Sequence, residues 1–185
     1  MNIFILVDKS GSMDGEPIQK VYGFIDGILN SLKCNSVTLD VAEVCIIEYG
    51  LDAVMTLPLT KIKEICYLQD ATCSGPKNLG LALELANKSV QEIPESSLFI
   101  ITKGKPSDPM LYNVESSKCR FENIYILHGN MEKSAIYKDL SKRIISWDIF
   151  NSETIIQKIY GGQAIIDSEG NELLQAPPSI IELTI

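Results

Sequence analysis

Asp8, Ser10 and Ser12 stand at alternate positions in the stretch ILVDKSGSMDGEP, directly after an apolar run. One carboxylate and two hydroxyls at that spacing offer oxygen donors to a hard dication such as Mg²⁺ or Mn²⁺. Two later stretches also set polar residues beside apolar runs: CSGPKNLG, which contains Lys77, and TKGKPSD, which contains Lys103 and Asp108. These groups act together only if secondary structure carries all three stretches to one place.

The elements that would do so follow from periodicity. Short apolar runs alternate with amphipathic stretches at helical spacing, the pattern of an α/β fold with a doubly wound, mostly parallel central sheet, helices on both faces and one antiparallel edge strand. IFILV reads as a first strand, and EPIQKVYGFIDGILNSLK as a helix with Pro17 in its first turn, where a missing N–H costs nothing. LDVAEVCIIEYG and DAVMTLPL read as a strand pair turning at Gly50, and NLGLALELANKSVQEI as a second long helix with Leu79, Leu81, Leu83, Leu85 and Ala86 on its apolar side. There follow a strand (SSLFIIT), a weak helix (PMLYNVESSKC), a strand (ENIYILH), a helix (EKSAIYKDLSKR), a short strand (IISWDI) and a helix capped by Ser152 (SETIIQKIY). Residues 1–161 make one domain on this reading, and 162–185 a hairpin or extended tail packed on it, turning at SEGN. In such sheets ligands bind beyond the carboxyl ends of the strands, where strand order reverses. All three polar stretches fall at that edge.

Composition narrows the partners. A net charge of -8, from 24 acidic and 16 basic residues without a basic stripe, argues against nucleic acid and anionic membranes. Five cysteines without a C-x-x-C pair suit reduced thiols in a cytoplasmic protein, with Cys45 a core residue. MNIFILVDKS lacks a basic leader and is too short for a membrane span. His128 ends a strand and reads as a packing or hydrogen-bonding residue.

FILVDKSGSMDGEPIQKV, SGPKNLGLALELA and FIITKGKPSD together resemble the three site-forming loops of von Willebrand factor A (vWA) domains, and SGSMDGEP with KGKPSD is most similar to bacterial TerY-type tellurite-resistance proteins. The resemblance implies a metal-ion-dependent adhesion site: Asp and two Ser from the first loop, Thr from the second and Asp from the third around Mg²⁺ or Mn²⁺. Asp8, Ser10 and Ser12 match. Lys77 stands in place of the Thr, and Lys103 in place of the Asp.

An ammonium is three donors and no acceptor, so it cannot ligate the ion. At about 4 Å from a dication it costs on the order of 8 kcal/mol at an effective dielectric near 20. Deprotonating it from a pKa of about 10.4 to reach pH 7 costs about 4 to 5 kcal/mol. The expectation is a metal-free site in which Lys103 takes the ion's place over Asp8 and the hydroxyls, with Lys77 flanking it and no cofactor. Asp8, Ser10, Ser12, Met13, Lys77 and Lys103 then form the partner-binding surface. Two other readings of the same residues are a solvated pair of lysines over a reduced metal site of Asp8, Ser10 and Ser12 aided by Asp108, and simple backbone capping by Asp8 and Ser10. An aspartate-nucleophile phosphatase would need a second carboxylate where Ser10 stands, to act as acid and base. With one His in the chain a Ser triad is hard to assemble, and no P-loop ending follows KSGSM. The expected function is therefore non-enzymatic: a protein-interaction module which, by its resemblance, serves a bacterial stress-response or phospho-signalling cassette with kinase-like or phosphatase-like partners.

Overall fold

The computed structural model describes residues 1–34, 36–66, 72–90, 96–129, 136–140, 143–146, 164–166 and 172–175. The apolar runs form six strands of one sheet: β1 (Asn2–Asp8), β2 (Glu43–Tyr49), β3 (Ala53–Lys61), β4 (Ser96–Thr102), β5 (Asn123–His128) and β6 (Arg143–Ser146). Their order is β3-β2-β1-β4-β5-β6, with β3 antiparallel to β2 and every other pair parallel. Strand order therefore reverses between β1 and β4, and both end at the same carboxyl edge, in Asp8 and Thr102.

Alternation along β1 divides the core in two, because successive side chains leave opposite faces. Ile3, Ile5 and Val7 pack with Ile18, Val21, Ile25 and Leu29 of α1 (Glu16–Cys34). Phe4 and Leu6 pack with Leu79, Ala82, Leu83 and Ala86 of α3 (Leu79–Val90) and with Tyr112 of α4 (Pro109–Ser117). β1 is thus covered on both sides and almost wholly apolar, the condition of a central parallel strand. The long helices and strands fall where the sequence places them.

Three differences have physical causes. Leu39, Asp40 and Val41, expected in the second strand, belong to the short α2 (Ser36–Val41), and Thr38 bonds its Oγ1 to the Leu32 carbonyl at 2.6 Å. Within the expected helix EKSAIYKDLSKR, residues 136–140 form a short 3-10 segment and a turn, with Tyr137 drawn into the core. Leu81 and Leu85 are half-buried, while Ala82, Ala86 and Asn87 take the covered side of α3. The expected helix over 152–160 lies outside the described residues. In the tail, β7 (Ala164–Ile166) and β8 (Glu172–Gln175) pair antiparallel as a separate two-stranded sheet. Among the described residues no helix is long and apolar enough to cross a membrane.

Candidate functional site

β1 delivers Asp8 to the carboxyl edge fully buried. A carboxylate there must be neutralised or richly bonded, since an isolated buried charge is very costly. Four donors meet it. The Ser10 amide donates to Oδ1 at 2.9 Å. Oδ2 accepts from the Thr102 hydroxyl at 3.0 Å, from the Lys103 amide at 3.4 Å and from the Lys77 ammonium at 2.9 Å. Lys77 Nζ also donates to Ser12 Oγ at 3.1 Å, and Ser12 Oγ lies 3.0 Å from Ser10 Oγ. The three loops therefore converge, with an ammonium among one carboxylate and two hydroxyls.

The two lysines have exchanged the places expected of them. Lys77, expected to flank the site, has a side chain only 7% exposed and occupies its centre, whereas Lys103, expected to fill it, is exposed and contributes only its backbone N–H. The cause is backbone anchoring. Lys77 N donates to Ser107 Oγ at 3.0 Å and Ser107 N donates to the Lys77 carbonyl at 2.7 Å, so the second loop is strapped to the third and its side chain directed inward. Gly75, at φ 75°, gives the second loop its turn and accepts the Gly11 amide of the first loop at 3.1 Å. Lys103 follows directly on Thr102, whose hydroxyl already turns toward Asp8, and alternation sends the next side chain away.

One more expectation is corrected. Met13 is fully buried in the core under α1 and offers no surface to a partner. Asp108 gives its Oδ2 to the Leu81 amide at 3.2 Å, capping the first turn of α3 from the third loop, while its Oδ1 is buried with no hydrogen-bond partner among the described residues. Ser10 is buried as well, so of the six residues assigned to the surface only Ser12 and Lys103 are exposed. Asp8 and Ser10 do make the backbone contact of the capping reading, through the Ser10 amide, alongside their place in the cluster.

Tyr137, Tyr49 and Glu48, to which the sequence reading gave no role, hold the site from below together with His128, which packs and approaches a hydrogen-bond acceptor as expected. Tyr137 donates its hydroxyl to the Gly104 carbonyl, and His128, fully buried against the Tyr137 ring, brings Nε2 to 3.4 Å from the same oxygen. Tyr49 is the register partner of Asp8 on β2; burial first, and the Asp8 charge second, hold its phenol well above its ordinary pKa. On the α1 side Glu48 accepts from Tyr22 at 2.6 Å and from Lys9 at 3.0 Å, so a second buried carboxylate is also paired. Thr102 was visible as the polar end of LFIIT. Ser107, Tyr137 and Glu48 carry no spacing signal. Cys45 is a core residue, and burial pushes its thiol up to about 12. No group of three or more His, Cys, Asp or Glu side chains able to hold a metal occurs among the described residues.

A parallel sheet with its order reversing between β1 and β4, and three loops meeting at that point, defines an α/β domain with a top-face site. The von Willebrand factor type A domain model matches residues 2–142, and the chain belongs to that family. No curated protein matches the chain. Among solved structures it is similar to a von Willebrand factor type A protein from Catenulispora acidiphila (15% identity, TM-score 0.61, covering 85% of this chain and 40% of that one). It is similar also to the ArnB paralog VWA2 from Sulfolobus acidocaldarius (16%, 0.57, 86% and 44%). The pilus adhesin SpaC from Lactobacillus rhamnosus GG matches at 16% identity and TM-score 0.51 over 58% of this chain, and the match spans only 15% of the adhesin. These likenesses establish the fold, in chains of which this one spans a fraction.

Proposed function

We propose that this vWA domain is a non-enzymatic protein-interaction module whose adhesion-type site works without a divalent ion, because Lys77 supplies the positive charge the ion would bring. The observation that carries the reading is the 2.9 Å contact of Lys77 Nζ with Asp8 Oδ2. With the Ser10 amide, the Thr102 hydroxyl and the Lys103 amide also on this carboxylate, its oxygens already accept four donors. A dication at this place would have to displace the ammonium and then face it at close range. This donor set does not fit Mg²⁺ or Mn²⁺.

Ser10, standing where an aspartate-nucleophile phosphatase needs a second carboxylate, and the pairing of the Lys77 ammonium with Asp8 support the non-enzymatic reading. The service we propose is in a cytoplasmic bacterial stress-response or phospho-signalling cassette of the TerY type, with kinase-like or phosphatase-like partners. It rests on the loop wording SGSMDGEP and KGKPSD.

Thermal unfolding with and without millimolar Mg²⁺ or Mn²⁺ tests the metal-free site. A ligand of the folded state at a hundredfold excess over its Kd adds about 2.7 kcal/mol, a readily visible rise in Tm. No rise is expected. A saturable rise reversed by chelator overturns the reading. A photo-crosslinking residue at the exposed Ser12 position, used in cells of the source organism with and without chelator, tests the module itself: one specific partner, unaffected by chelation, is the expected product.

A further inference from the structure

We propose that the third loop and α4 form one docking surface for an acidic, amphipathic segment of a protein partner, with carboxylates on Lys103 and Lys105 and an apolar side chain over Met110 and Val114. This deepens the interaction-module reading and rests on it. The site at Asp8 is internally neutralised, and Lys77 has spent its ammonium on Asp8 and Ser12. What faces outward is the rim.

Lys103 and Lys105 are both exposed, and neither has a carboxylate within ion-pair distance among the described residues, in a chain that carries an excess of acid. Most other lysines with exposed side chains are matched: Lys20 with Glu16, Lys63 with Asp40, Lys88 with Glu84 and Lys118 with Glu115. Glu16 feels the Lys103 charge, but its carboxylate lies 2.8 Å from Lys20. These two exposed lysines, two residues apart at the sheet edge and without a carboxylate at ion-pair distance among the described residues, offer their ammonium groups to a partner's carboxylates.

The same loop runs straight into α4, where Met110 is 84% and Val114 49% exposed. Spaced four residues apart they share one side of the helix, while Tyr112 and Glu115 are buried on the other. The loop between cations and stripe is also held firmly, by Tyr137 on Gly104, by the two bonds between Ser107 and Lys77, and by Asp108 on the Leu81 amide. A surface already fixed loses little entropy on binding. Charge complementarity selects an acidic occupant, and the adjoining stripe selects one with an apolar side chain beside its carboxylates. The overall negative charge repels DNA and anionic lipid.

The probe is a fluorescein-labelled peptide of four acidic residues followed by two leucines, titrated into the whole ¹⁵N-labelled chain beside a control with Gln and Asn in place of Glu and Asp. Amide shifts confined to 103–114 and saturable anisotropy are expected. The control peptide, or about 0.5 M NaCl, weakens binding about tenfold. Lys103→Glu with Lys105→Glu does the same, and Met110→Ser with Val114→Ser costs about threefold or more. All four side chains are exposed, so each variant stays folded, which unchanged amide shifts outside 103–114 verify. Absence of binding, binding that charge reversal leaves within twofold, or shifts at 103–114 caused by phosphatidylserine vesicles or duplex DNA but not by the peptide would overturn the proposal. If the Ser12 crosslink to a partner survives charge reversal at full yield, this surface is wrong and the module reading stands. If no crosslink forms in the wild type, the module reading fails on its own, and the titration still decides this surface.

Discussion

Lys77 and Lys103 differ by one quantity that decides their energetics: how completely each is withdrawn from water. The Lys77–Asp8 pair is buried on both sides, so removing one partner strands a charge, at a cost of about 3 to 5 kcal/mol. Lys77→Met should therefore destabilise the fold by about that amount in urea unfolding, whereas Lys103→Ala, exposed, should change it by less than about 0.5 kcal/mol. Adding Asp8→Asn to Lys77→Met should restore part of the loss, because the stranded carboxylate is gone. A cycle with additive effects would mean that the two groups do not share a buried contact. The convergence of Asp8, Ser10 and Ser12 with the second and third loops was legible in their wording. Which of two lysines turns inward was not, because it hangs on Ser107, whose paired bonds to the Lys77 backbone leave no trace in spacing.

The packing of α3 on α4 sets the limits of the site's support at the level of elements. Gly80 lies in the first turn of α3, where Ala in place of Gly gains at most about 1 kcal/mol, the propensity difference of a helix interior. Here an added Cβ would stand 2.6 Å from Asp108 Oδ2, 2.6 Å from the Tyr112 amide nitrogen and 2.8 Å from the Leu111 carbonyl carbon. Two of these are backbone atoms of the neighbouring helix and cannot swing aside, so overpacking outweighs propensity. Gly80→Ala should destabilise by about 1 to 3 kcal/mol and loosen Asp108, seen as a lower Tm and faster amide exchange at Leu81. The strands β1, β2, β4 and β5 and the helices α1 and α3 were legible because their periods are long and clean. α2 was hidden because Leu39–Val41 run into the apolar strand that follows, so period 3.6 had too few residues to show. The turn at 136–140 was hidden because burial of one ring, Tyr137, overrides the helical spacing around it.

At the scale of the whole molecule, an acidic chain keeps the Lys77 ammonium on Asp8 where its three loops converge, and the balance can be rewritten. Lys77→Thr with Lys103→Asp puts a hydroxyl and a carboxylate at the two positions where the loop resemblance implies metal ligands. The Lys103 amide lies 3.4 Å from Asp8 Oδ2, so a carboxylate at that position reaches the ion by turning its side chain back from solvent, and Ser12, freed of Lys77, regains its acceptor lone pair. Without metal, Asp8 loses its ammonium and gains a neighbouring carboxylate in a molecule already at -8, so the double variant should melt well below the wild type. Millimolar Mg²⁺ or Mn²⁺ should raise that Tm saturably, chelator should reverse the rise, and the wild type should show neither response. Calorimetric titration checks the stoichiometry, expected to be one ion per chain. If the variant folds yet binds no ion, then the loops meet closely enough for one ammonium but not for an octahedral set of oxygens, and Lys77 is a structural strut and not a stand-in for metal. If it binds the ion and the peptide that docks on α4 loses affinity only through Lys103, then metal site and docking rim are separable, and the electrostatics of this face reside in its edge.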